Sequence, residues 1–172
     1  MSRRTASRAL IAVALSVSLA ACGSDDDAAS PDAGSSSAAA GEVSADLTQK
    51  PEVPASDEPV PDELVMDDVV VGDGAEAVEG STADVKYVGA FYESGEEFDS
   101  SWSNSPDYTI PVPLGAGRVI PGFEQGIEGM KVGGRRTITI PSDLGYGPDG
   151  YPPVIPGNAT LVFVMDLVEV TP

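Results

Sequence analysis

After position 61 the chain reads as short runs of β-type residues broken by Gly, Pro, Asn and Asp, and this punctuation constrains the fold more than any other feature. Such runs cannot bury themselves singly, so the pattern signals an antiparallel, β-rich domain. Residues 69–71 lead into a turn at Gly72-Asp73-Gly74. Residues 83–92 include the alternating Val85 and Tyr87 and then turn at Glu93-Ser94-Gly95-Glu96, as in a hairpin. Residues 135–140 put Ile138 and Ile140 on one face, and residues 160–170 are long and apolar enough for a central strand. One helical stretch stands among these four strand candidates. Over residues 121–130, Pro121 sits at the start, Phe123, Ile127 and Met130 share a face, and Gly133-Gly134 follows the end. A helix and a sheet with one apolar face each can bury those faces on one another. The expected class is therefore α+β, a curved sheet over a single short helix.

The N-terminal part is of another kind. Residues 2–8 carry three arginines and no acid, and residues 9–20 follow as an apolar run broken only by Ser16 and Ser18. That order is the order of a signal peptide, and the run is short for a membrane-spanning helix. It ends in Leu19-Ala20-Ala21-Cys22-Gly23, which looks like a bacterial lipobox. The expectation is that residues 1–21 are removed and that Cys22 is lipidated, each buried acyl methylene contributing about 0.8 kcal/mol to the anchor. The pair Arg3-Arg4 lacks the apolar residues usual just after a twin-arginine export signal. Residues 22–60 are largely Ser, Ala, Asp, Glu, Gly and Pro, including Asp25-Asp26-Asp27 and Ser35-Ser36-Ser37. Such a stretch buries too little surface to offset its ordering entropy, so a disordered acidic tether spanning roughly 35 Å is expected ahead of a domain at 61–172.

Composition then limits the chemistry. The chain contains no histidine, which removes Ser-His-Asp and Cys-His machinery and every histidine-containing metal site. Its single cysteine, Cys22, cannot form an internal disulfide. With 28 acidic against 9 basic residues and a formal charge of -19, nucleic acid is not an expected partner. Lys131, Arg135 and Arg136 are the basic cluster outside the N-terminus; they are read as the solvated face of a turn and strand and imply no anionic ligand.

A set of short motifs makes the domain more specific. Val85-Lys86-Tyr87-Val88-Gly89, Phe98-Asp99-Ser100-Ser101, Leu114-Gly115, Val119-Ile120-Pro121-Gly122-Phe123, Gly145-Tyr146-Gly147 and Ile155-Pro156 through Ala159-Thr160-Leu161-Val162-Phe163 occur in that order. Their order and spacing resemble the FKBP-type peptidyl-prolyl isomerases over residues 61–172. The resemblance implies five or six antiparallel strands wrapped around a short helix, catalysis of X-Pro isomerisation, and no cofactor. It also implies where the chemistry lies. Phe123 would floor a pocket for the prolyl ring, with Tyr87, Phe98 and Phe163 as walls. Val119 and Ile120 would line its mouth and offer backbone groups, Tyr146 would give its hydroxyl to a substrate carbonyl, and Ile155 would close the far side. Asp99 would stand near the rotating carbonyl, acting electrostatically or sterically. Ile110 takes the place of a pocket aromatic, Tyr151 that of a loop histidine, and Asn104 that of a basic residue that often pairs with the pocket aspartate. Losing that partner should leave Asp99 less compensated.

The expected partners are proline-containing segments of exported proteins, possible macrolide inhibitors, and the membrane reached through the lipid anchor. The competing reading is a binding module on the same fold that holds proline-containing or unfolded segments without catalysing. Proline isomerisation suits a chain without histidine, because nothing has to be cleaved or permanently protonated.

Overall fold

The computed structural model describes residues 43–172; the expected signal peptide and Cys22 lie outside the described residues. Six strands and one α-helix make up the domain: β1 Val65–Val70, β2 Thr82–Phe91, β3 Glu97–Ser100, β4 Ile110–Pro113, α1 Pro121–Ile127, β5 Arg135–Ile140 and β6 Leu161–Thr171. Every pairing is antiparallel, and the order across the sheet is β1-β5-β6-β2-β3, with β4 also on β2. β3 pairs with residues 88–90 of β2 and β4 with residues 82–85, so the two form one edge strand interrupted by residues 101–109. That interruption holds a 3₁₀ turn, Ser101–Ser103, capped by the Ser100 hydroxyl.

The pattern-based strands at 83–92, 135–140 and 160–170 each fall within a residue or two of an observed strand. The one at 69–71 begins earlier, at Val65. β1 is an edge strand with its first four residues exposed, so its hydrophobic alternation is weak; it is held to β5 by backbone pairing and by Arg136 Nε to Asp68 Oδ1 at 2.6 Å. The helix is shorter than 121–130 because the chain leaves helical geometry at Glu128 and Gly129 adopts φ of +76°. Met130 is nonetheless buried in the core.

The helix lies on the concave face of the sheet. Pro121 suits its first position, where no amide hydrogen is needed, and Phe123 and Ile127 point into the core. Gly122 and Gly126 face β5, where an added β-carbon would collide with Ile140 and Ile138 respectively. The missing side chains therefore let the helix approach the strand closely. β6 is buried along its whole first part, from Leu161 to Leu167, which is why it reads as nearly continuous hydrophobic sequence.

The second face of β6 is covered from an unexpected source. The tether expected over 22–60 enters the described residues at 43, and from there to 60 it is not free: it lies along the domain as a strap. Its anchor is Arg135, which is 0% exposed. Arg135 Nε and Nη2 donate to the two carboxylate oxygens of Asp166, at 2.5 and 2.7 Å. Nη1 donates to the carbonyls of Ser44 and Asp46, and Nη2 also to that of Gln49. All five guanidinium hydrogens are thus used. Lys50 pairs with Glu97 at 2.7 Å, the Ser56 amide donates to the Tyr92 carbonyl, and Pro51 is buried. A cavity of about 190 Å³ remains between the strap and the sheet, beside Val53, Pro54, Thr137 and Val162. These contacts correct two expectations: the domain's ordered contacts begin by residue 43, and Arg135 and Arg136 are ion-paired groups instead of a solvated face. Only Lys131 of that cluster is exposed.

Candidate active site

A second cavity, of about 500 Å³, opens between the helix and the concave face of the sheet. Its depth is set by two rings. Phe123, from the helix, and Phe163, from β6, are each 4% exposed and meet edge-to-face with centroids 5.1 Å apart. Tyr87 packs at 5.7 Å from Phe123 and 6.1 Å from Phe163, and Phe98 meets Phe163 edge-on at 5.6 Å. Edge-to-face packing of this kind holds rings in fixed orientations.

Backbone register decides which residues reach this space. Consecutive residues of a strand point to opposite faces, yet Phe98 and Asp99 both line the cavity. The reason is a bulge: Gly89 pairs with Asp99 but Ala90 pairs with Glu97, leaving Phe98 without an opposite residue. Gly89 also pairs with Phe163 on its other side. Having no side chain, it leaves room for the rings of Phe98 and Phe163 directly above the strand.

Asp99 is held from two directions. Tyr87 donates its hydroxyl to Oδ2 at 2.6 Å, and the Ser100 amide donates to Oδ1 at 2.8 Å. This residue combines a local backbone bond with a place in the cavity wall. Asn104 bonds backward to Ser101 through its backbone, and the partner of Asp99 is Tyr87. Burial first, then the hydrogen bond to Asp99 and its charge, push the Tyr87 phenol well above the ordinary tyrosine range. Tyr146 follows the 3₁₀ turn Ser142–Leu144 and reaches the cavity from its loop. Burial raises its phenol too, followed by the charge of Asp99 and by Tyr151.

Ile110, Val119 and Ile120 line the cavity as the sequence implied. The Ile120 carbonyl accepts the Phe123 and Glu124 amides at the helix start, so what this residue can offer a ligand is its own N–H. Tyr151 and Ile155 do not line it. They exchange backbone hydrogen bonds with each other, folding their loop back on itself; this turns Ile155 into the core at 3% exposure and leaves Tyr151 61% exposed, 5.8 Å from the Tyr146 ring. Gly117, Arg118 and Pro121 complete the wall without having been assigned to the site from sequence. An arginine flanking Val119-Ile120 in so acidic a chain was the available signal for one of them.

A curved sheet over one helix carries an aromatic cavity whose wall carboxylate is tied to a phenol, a space that suits a non-polar ring. The chain belongs to the family of FKBP-type peptidyl-prolyl cis-trans isomerases, whose family model matches residues 74–168. It is 50% identical over 99 residues to a probable FK506-binding protein of Corynebacterium glutamicum, covering 58% of this chain and 80% of that protein. It is 48% identical over 95 residues to peptidyl-prolyl cis-trans isomerase FPR2 of Saccharomyces cerevisiae, covering 55% of this chain and 69% of that one. Among solved structures, that of AtFKBP13 superposes with a TM-score of 0.58 at 34% identity, over 65% of this chain and 96% of its own.

Proposed function

We propose that this isomerase acts on exported proteins at the outer face of the cytoplasmic membrane, anchored there through lipid on Cys22, and that the helix–sheet cavity is its catalytic site. The observation that carries the site is the crossing of Phe123 and Phe163 beneath a wall carboxylate held by Tyr87. Rotation about an X-Pro bond has a barrier of roughly 18–20 kcal/mol because the planar amide is resonance-stabilised, and unaided it takes tens to hundreds of seconds. The twisted amide has lost conjugation and is less polar than the ground state, so a dry aromatic site favours it.

In this reading the prolyl ring rests on Phe123 between Tyr87, Phe98 and Phe163, with Ile110 and Val119 beside it. The Ile120 N–H and the Tyr146 hydroxyl meet substrate carbonyls. Asp99, fixed by Tyr87, stands near the rotating carbonyl and acts by its charge. The Corynebacterium glutamicum relative carries FK506 binding in its description, which supports a macrolide as an inhibitor filling the same space. The lipobox-like residues Leu19-Ala20-Ala21-Cys22 support the anchor.

The test is refolding of a protein limited by X-Pro isomerisation, with the chain added in catalytic amounts. Acceleration is expected, and Phe98→Ala combined with Asp99→Leu should abolish it while the circular dichroism spectrum is kept. Undiminished acceleration by the double variant would sink the site assignment. For the anchor, palmitate labelling of cells should mark the wild-type chain and not Cys22→Ser, which should leave the membrane fraction.

A further inference from the structure

We infer that Arg118 makes this enzyme selective for X-Pro segments that carry a carboxylate side chain next to the proline. The inference rests on the catalytic reading of the helix–sheet cavity and names a substrate preference for it. Arg118 forms part of the wall of that cavity, between Gly117 and Val119, and is exposed. Among the described residues, the salt bridges engage Lys50, Arg135 and Arg136, while Lys86 lies 4.8 Å over the Trp102 ring. Arg118 has no such partner there.

The backbone that presents it is also tied down. Glu124, on the first turn of the helix, accepts the amides of Ala116 and Gly117 at 3.1 and 3.4 Å, and Leu114 is bonded to Gly80 and Ser81. The turn that presents Arg118 is therefore tied to the helix and to the loop before β2. The Oε1 of Glu124, beside this turn, is engaged by these backbone donors. A cation presented at the mouth of an apolar cavity, and in no salt bridge among the described residues, offers a fork that matches a carboxylate.

The rest of the chain would disfavour such a substrate, since its formal charge is -19. Distance separates the two effects. At physiological salt the screening length is about 8 Å, so the distant acids are muted while a charge in contact with a bound peptide is not. The Asp99 carboxylate, in the same wall, opposes a second carboxylate, so the preference is the surplus of the Arg118 attraction over that repulsion.

The experiment compares kcat/KM of the full chain on peptides with Glu, Gln or Lys immediately before or after the proline, ranked within each variant so that any general loss cancels. Arg118→Gln is set against Lys131→Gln, which makes the same change in net charge at an exposed residue outside the cavity wall. The wild-type chain and Lys131→Gln should favour Glu over Gln over Lys by roughly two- to fivefold per step, as for an exposed charge pair. This ranking should collapse in Arg118→Gln and shrink in about 1 M salt. A ranking that survives Arg118→Gln, or that falls equally in Lys131→Gln, overturns the assignment while leaving the catalytic site standing. A wild-type chain inactive on every peptide overturns the catalytic reading and this selectivity together.

Discussion

With no side chain at Gly89, the rings of Phe98 and Phe163 close over the strand between them. A β-carbon built there stands 2.7 Å from a Phe163 ring carbon and 2.8 Å from one of Phe98, so Gly89→Ala must displace both walls of the cavity. We expect a loss of about 1–3 kcal/mol of stability from overpacking, seen as a lower urea midpoint. A larger fall in kcat/KM than in stability should accompany it, because a displaced ring no longer fits the substrate. At Tyr87 the expectation is the reverse. Tyr87→Phe keeps the ring and removes the donor to Asp99, so stability should change by only about 1 kcal/mol while kcat/KM falls several-fold. Unchanged kinetics would mean that the orientation of Asp99 has no part in catalysis. Tyr151 and Ile155, which the resemblance put at the rim and far side of the pocket, flank a loop whose backbone pairs with itself, and the structure places Ile155 in the core and Tyr151 beside the Tyr146 ring.

At the level of elements, the strap is the feature that sequence composition concealed. Residues 43–60 resemble the acidic stretch before them, but the carbonyls of Ser44, Asp46 and Gln49 complete the hydrogen bonding of a buried arginine. A chain that begins at Pro61 leaves three of the five Arg135 donors without these partners, and it should unfold at lower urea than one that begins at Val43. Arg135→Gln strips the charge partner from buried Asp166 and should cost roughly 3–5 kcal/mol, measured in the same way. Acid should loosen the strap before the sheet. Hydrogen bonds from Thr48, first through its side chain and then its backbone, together with Gln49, hold the Asp46 carboxyl below its ordinary value of 3.8. Its contribution is therefore complete above that ordinary value and is lost as pH falls through the lowered one. Amide hydrogen exchange should show the Asp46, Thr48 and Gln49 amides protected at neutral pH and released in acid while β6 remains protected.

For the whole molecule, catalysis without a titrating acid or base predicts a flat pH profile. The phenols of Tyr87 and Tyr146 are both raised by burial and by Asp99, so both stay protonated well past neutrality. Any stability they contribute is complete below the ordinary tyrosine value and is lost only as pH rises through the higher folded ones. kcat/KM should accordingly vary little from about pH 6 to about pH 9; a bell centred near neutrality would show that a titrating group takes part. Much of the architecture was legible in the residues. Alternating apolar positions marked β2 and β5, a continuous apolar run marked β6, and Pro121 with Phe123 and Ile127 marked the helix, because burial on one face imposes a period on the sequence itself. The aromatic cluster and Asp99 were legible as an ordered set of motifs. What only the tertiary structure decided depends on contacts between distant segments: the bulge that turns Phe98 and Asp99 to one side, the pairing of Arg135 with Asp166 and the strap, the tie from Glu124 that presents Arg118, and the turning of Ile155 into the core. None of these leaves a periodic trace, since each is set by register and by the need to satisfy buried polar groups across the fold.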